Sequence, residues 1–124
     1  MKLNLPFTEN ISLSTVQKNQ AIDEFIYLRA DRKNIKVNLN DILFIESLKD
    51  YIKVVTKEKT IVTKQSISSL EESLPANGFI RTHRSFIVSI SKIESFTQDL
   101  IQMGKYELPI SRSYRHEVKK ILKV

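Results

Sequence analysis

Neither cysteine nor tryptophan occurs among the 124 residues, and there are only two glycines, three prolines and two histidines. The missing thiols exclude disulfide staples, thiol nucleophiles and thiolate metal sites. Two glycines cannot make a glycine-rich phosphate loop. His83 and His116 do not stand in an HExxH spacing, and no pair of carboxylates is persuasively spaced for acid–base work. With so little from which to build a catalytic or metal site, the expectation is a protein that is not an enzyme and needs no cofactor or metal. No apolar run approaches the roughly 20 residues that span a bilayer, and no basic segment leads into an apolar stretch at the N-terminus. The expected location is cytoplasmic, with no membrane partner.

What is present suits one packed domain. Hydrophobic residues make up 41% and charged residues 27% of the chain, close to the composition of a soluble globular domain. Twenty Lys and Arg stand against fourteen Asp and Glu, a net +6. The excess is uneven: residues 1–24 hold two basic and three acidic residues, so residues 25–124 carry 18 basic against 11 acidic, or +7. Such a balance is evidence about polyanionic partners and says nothing about fold.

Residues 1–24 show no sustained period and read as a linker or N-terminal arm. From Phe25 onward, β-branched and aromatic residues alternate with polar ones, as in half-buried strands. Phe25 to Ala30 and Ile35 to Asn38 read as a hairpin turning through Asp31-Arg32-Lys33-Asn34. In the strand Asp41 to Glu46, the run Ile42-Leu43-Phe44-Ile45 is apolar throughout, which places it centrally with both faces covered. Tyr51 to Lys57 and Thr60 to Gln65 pair through Glu58-Lys59. Ser66 or Ser68 opens a helix ending near Leu74, Ser68 having capping-box spacing to Glu71. Phe79 to Ile90 reads as strand, bend, strand. Lys92 to Thr97 and Leu100 to Met103 form another hairpin, Tyr106 to Ile110 a last strand, and Tyr114 to Leu122 a C-terminal helix with Val118 and Ile121 facing inward. The fold class is mainly β.

Three polar segments interrupt this pattern. Arg81-Thr82-His83-Arg84-Ser85 concentrates cations and hydroxyls that can bind phosphate oxygens or, for Arg84, the two acceptors of a guanine edge; the alternative is a solvated loop. In Ser111-Arg112-Ser113-Tyr114-Arg115, either serine could cap the following helix while Arg112 enters a groove and Arg115 meets phosphate. Ser47-Leu48-Lys49-Asp50-Tyr51 could present Lys49 and Tyr51 to DNA or be a plain hairpin connection. Lys53, Lys57, Lys59 and Lys64 add positive potential, although lysines on strands also guard sheet edges.

Taken in order, FIESLKDYIKVVT (Phe44 to Thr56), the helix ending SLEESLP, FIRTHRSFIVSISKIE (Phe79 to Glu94) and ELPISRSYRHEV (Glu107 to Val118) resemble the LytTR family over roughly residues 25 to 122. The resemblance implies an elongated stack of antiparallel β-sheets with short helices, the DNA-binding output domain of a bacterial two-component response regulator. Such domains approach successive major grooves with loops between strands. Carried over, Arg84 and Arg112 become base contacts, with the Lys49-Asp50-Tyr51 turn as a third probe, while Arg81, His83, Ser85, Lys53, Ser113 and Arg115 touch the backbone. The implied partner is double-stranded promoter DNA with paired sites, bound as a homodimer, with a receiver domain if the chain is an excised part. From the residues alone, a β-rich protein-interaction or sensory module with incidental basic loops stays open.

Overall fold

The computed structural model describes residues 24–123; the expected arm, apart from Glu24, lies outside them. The strands are β1 (Phe25–Ala30), β2 (Lys33–Asn38), β3 (Ile42–Leu48), β4 (Tyr51–Thr56), β5 (Thr60–Thr63), β6 (Phe79–His83), β7 (Phe86–Ser89), β8 (Ser95–Phe96), β9 (Leu100–Met103) and β10 (Tyr106–Pro109). Helix α1 is Ile67–Glu72 and α2 is Arg115–Leu122, with 3-10 turns at Leu39–Asp41, Ile90–Lys92 and Arg112–Tyr114. All strand pairs are antiparallel. They form a five-stranded sheet in the order β5-β4-β3-β7-β6, a hairpin β1-β2 and a three-stranded sheet β10-β9-β8. The mainly β stack expected above is what is found.

The five-stranded sheet is the middle layer. Ile45, Ile52, Val54 and Ile87 pack on one face with Leu28 and Val37 of the hairpin and Ile67 and Leu70 of α1. Phe44, Val55 and Val88 pack on the other with Ile101, Met103 and Leu108 of the three-stranded sheet and Val118 of α2. The fully apolar run in β3 serves both layers through a bulge. Ile42 pairs with Thr56 but Phe44 pairs with Val55, leaving Leu43 as the extra residue. Ile42 and Ile45 therefore share one face while Leu43 and Phe44 share the other, as an inserted residue in one strand requires.

Local differences from the sequence reading have local causes. The first turn is two residues long, because Asp31 and Arg32 both take left-handed backbone, φ 52° and 63°, and Lys33 and Asn34 already belong to β2; that is the conformation whose twist matches a hairpin. The expected strand at Lys92 shortens to β8, since Ile90–Lys92 closes a 3-10 turn. Asp41 likewise falls in a 3-10 turn, before β3. Helix α1 is capped by Ser66, whose Oγ accepts from the Ser69 N–H at 3.0 Å. Glu71 is thereby freed from the capping box and pairs elsewhere. Ser66→Ala should lower stability by about 1 kcal/mol and Ser68→Ala by much less, a contrast that paired urea denaturation curves will resolve. Neither Ser111 nor Ser113 caps α2: Tyr114 occupies that position, and the two serine hydroxyls face each other at 3.3 Å.

Candidate nucleic-acid interface

The three polar segments lie on different stretches of chain, and the strand register brings them to one end of the middle sheet. Leu48 pairs with Tyr51, so Lys49-Asp50 is a two-residue turn. His83 pairs with Phe86, so Arg84-Ser85 is another. Strand β7 begins opposite Glu46 of β3, and the Ser47 N–H donates to the Ser85 carbonyl at 2.8 Å. Both turns therefore protrude from the same sheet end. The third segment joins them because the Ser111 N–H donates to the Thr82 carbonyl at 2.9 Å, which places the turn bearing Arg112 beside the last residues of β6.

Lys49, Asp50, Tyr51, Arg84, Arg112 and Ser113 are exposed there, while Lys53, Arg81, His83, Ser85 and Arg115 are half-buried. Among the described residues, Lys49, Arg84 and Arg112 make no ion pair, unlike Lys53, Lys57, Arg81 and Arg115. Lys49 also holds φ at 48°, a left-handed conformation that costs a residue with a Cβ about 1 to 2 kcal/mol.

A second bulge shapes the Arg84 turn. Arg81 pairs with Ile87 but His83 with Phe86, leaving Thr82 as the extra residue. Bulges re-aim the side chains that follow them. Here Arg81 stays on the α1 side, while His83 crosses to the Phe86 side, its ring edge-on to Phe86 at 5.8 Å. His83 Nδ1 accepts from the Ser85 N–H at 3.0 Å. Accepting through Nδ1 leaves the neutral ring its Nε2–H as a donor.

Arg81 is turned inward, its side chain 14% exposed. Its Nε donates to the His83 carbonyl at 3.0 Å, one terminal nitrogen donates to the Arg84 carbonyl at 2.6 Å, and the other meets Glu71 at 2.6 Å. Lys53 faces Glu46 across the strands at 3.4 Å, and Arg115 is bound to Asp99 of the β8–β9 connection. Glu46, Glu71 and Asp99 are the site residues that sequence reasoning missed. Only Glu71 carried a local signal, and its spacing pointed to a helix cap.

The opposite end of the same sheet has its own lysines, of which Lys59 is exposed and makes no ion pair among the described residues. Lys57 lies 4.0 Å from Asp41, and the Lys92 amine donates to the Asn40 carbonyl at 2.8 Å. Burial, followed by the charge of Lys57, holds the Lys92 amine below its usual range, against the pull of Asp41.

The structure is thus a β module of stacked antiparallel sheets with turns carrying exposed cations at one sheet end. Residues 32–123 match the LytTr DNA-binding domain, and the chain belongs to that family, one of DNA-binding domains and not of enzymes. It is 34% identical over 96 residues to the sensory transduction protein LytT of Bacillus cereus, covering 73% of this chain and 39% of that protein. It is 30% identical over 107 residues to the transcriptional regulatory protein YpdB of Escherichia coli, covering 81% of this chain and 44% of that one. The chain thus spans less than half the length of these curated relatives. A solved LytTr DNA-binding domain from Bacillus cereus superposes with a TM-score of 0.73 at 29% identity, over 82% of this chain and 99% of that structure. No helix among the described residues is long and apolar enough to cross a membrane.

Proposed function

We propose that this domain binds duplex promoter DNA sequence-specifically, placing its inter-strand loops in the major groove. Arg84 and Arg112 read base edges, each able to offer two donors to the paired acceptors of guanine. The Lys49-Asp50-Tyr51 turn is the third probe, in which Asp50 accepts from a cytosine amino group or braces Lys49. His83, Ser85, Lys53 and Ser113 contact the backbone; Arg81 would reach phosphate by releasing Glu71, and Arg115 contacts it from beside Asp99, which holds one of its terminal nitrogens.

The observation that carries this reading is the convergence of three separate segments at one sheet end, with Arg84 and Arg112 exposed and, among the described residues, in no ion pair with a carboxylate. The strained lysine supports it. Glycine would suit the backbone of Lys49 better, but would delete the cation carried on the turn. The longer relatives, named as sensory transduction and transcriptional regulatory proteins, support a cytoplasmic two-component output domain joined to a receiver. Homodimerisation on paired sites would raise occupancy through effective concentration.

The direct test is a gel shift against promoter fragments with a salt titration. For about six phosphate contacts, affinity should fall about a thousand-fold between roughly 50 and 200 mM salt. Lys53→Ala should weaken every sequence alike and reduce the salt slope by about one, an effect increased by Glu46 losing its partner. Absence of any shift from correctly folded protein would overturn the proposal in favour of a protein-interaction or sensory module.

A further inference from the structure

We infer that Glu71 and Arg81 form a clamp that positions Arg84, so that two residues facing away from the DNA set the specificity of the loop that meets it. The inference rests on Arg84 being a base contact.

The geometry is unusually complete for a side chain near a surface turn. Nε and both terminal nitrogens of Arg81 are engaged, two on the consecutive carbonyls of His83 and Arg84 and one on the Glu71 carboxylate. Holding both carbonyls on the protein side fixes the peptide planes on either side of the Arg84 Cα, and hence the direction in which its side chain leaves the turn. Only a planar fork can do this, because an ammonium has no comparable set of fixed donors. The Ser85 N–H, donating to His83 Nδ1, and the Ser85 carbonyl, accepting from Ser47, anchor the other side of the same turn.

Glu71 has no evident purpose within its own helix. It lies in the last turn of α1, where the exposed carbonyls disfavour an anion, and Ser66 provides the cap without it. Its carboxylate instead holds the end of the Arg81 guanidinium while Nε and the remaining nitrogen bind the turn. A preorganised arginine loses less freedom when it docks on a base edge, which favours the correct sequence over others.

A phosphate ligand and a clamp differ in what their removal changes. The probes are a duplex selected from a randomised pool by the wild-type chain and a scrambled duplex of equal composition. Arg81→Gln and Glu71→Gln should each reduce the ratio of selected to scrambled affinity about tenfold with the salt slope as in wild type; the two changes shift net charge in opposite directions, so a shared loss of ratio does not come from charge. Arg81→Lys should behave like Arg81→Gln, since the charge survives but the fork does not. The double variant Arg81→Gln/Arg84→Ala should discriminate no worse than Arg84→Ala alone.

Equal weakening on both duplexes, a salt slope lower by about one, or rescue by Arg81→Lys would identify a phosphate ligand and overturn the clamp. Fully additive losses in the double variant would also overturn it, as would a lowered melting temperature with the affinity ratio unchanged. If Arg84→Ala alone leaves discrimination intact, the base-contact reading of Arg84 falls and takes the clamp with it. That failure shows without any change at Arg81.

Discussion

Arg84→Ala and Arg112→Ala are each expected to cost about 1 to 3 kcal/mol on a cognate duplex and to relax preference at one base position. Both guanidinium groups are exposed and lack carboxylate partners among the described residues, so removing either uncovers no buried charge and should leave the melting temperature close to wild type. The loss therefore reports on DNA and not on folding. Competition against random duplex is the deciding measurement: equal losses on cognate and random sequence would remove both arginines from readout. The two segments are held together through the Ser111 to Thr82 hydrogen bond, so losses at neighbouring bases are expected to couple, whereas well-separated base positions add.

Phe44→Ala is the second large effect, and it is one of stability. Phe44 is 4% exposed in the central strand, edge-on to Tyr106 at 4.9 Å and tilted against Phe86 at 6.3 Å. It lies between the middle sheet and the three-stranded sheet. Truncation removes the buried ring and leaves a cavity that flanking β-strands cannot readily collapse, for a cost of about 3 to 5 kcal/mol. That is a large share of the stability of any small domain. Phe25, at 44% exposure on the outer hairpin, provides the control. Its contacts are an edge-on Tyr27 and the Lys36 amine at 4.2 Å, and Phe25→Ala should cost about 1 kcal/mol or less. Chemical denaturation of the two variants checks the difference, and comparable losses would contradict the layering.

Each feature that was legible in the sequence has a local physical origin. The strand beginning at Phe25, the strand character of most segments and the central place of Ile42 to Ile45 follow from hydrophobic period and β-branching. The composition of the Arg84, Arg112 and Lys49 segments marked them as breaks in that period, and their ordered phrases matched the family to which the chain belongs. Features that depend on one residue of register were less legible. The bulge at Leu43 has no sequence mark, because Leu and Ile are equally apolar on either face. The two-residue turn at Asp31-Arg32 lacks the Asn-Gly pair that normally announces it. The choice of Ser66 over Ser68 depended on which serine took extended backbone.

The chain by itself determined the elements, the absence of thiol chemistry, the basic charge and the identities of the side chains on the turns, since each is a property of neighbouring residues or of composition. Tertiary structure alone decided which turns share an end of the sheet and which cations are already occupied. Arg81 and Arg84 are three residues apart and alike in sequence, yet one is bound to Glu71 and the other has no ion-pair partner among the described residues. Arg115 is likewise held by Asp99 from a distant strand connection while Arg112 is not. Ion pairs of this kind are contacts across the fold, made when sheet register and the Thr82 bulge bring separate segments within a few ångströms, and no local pattern encodes that distance.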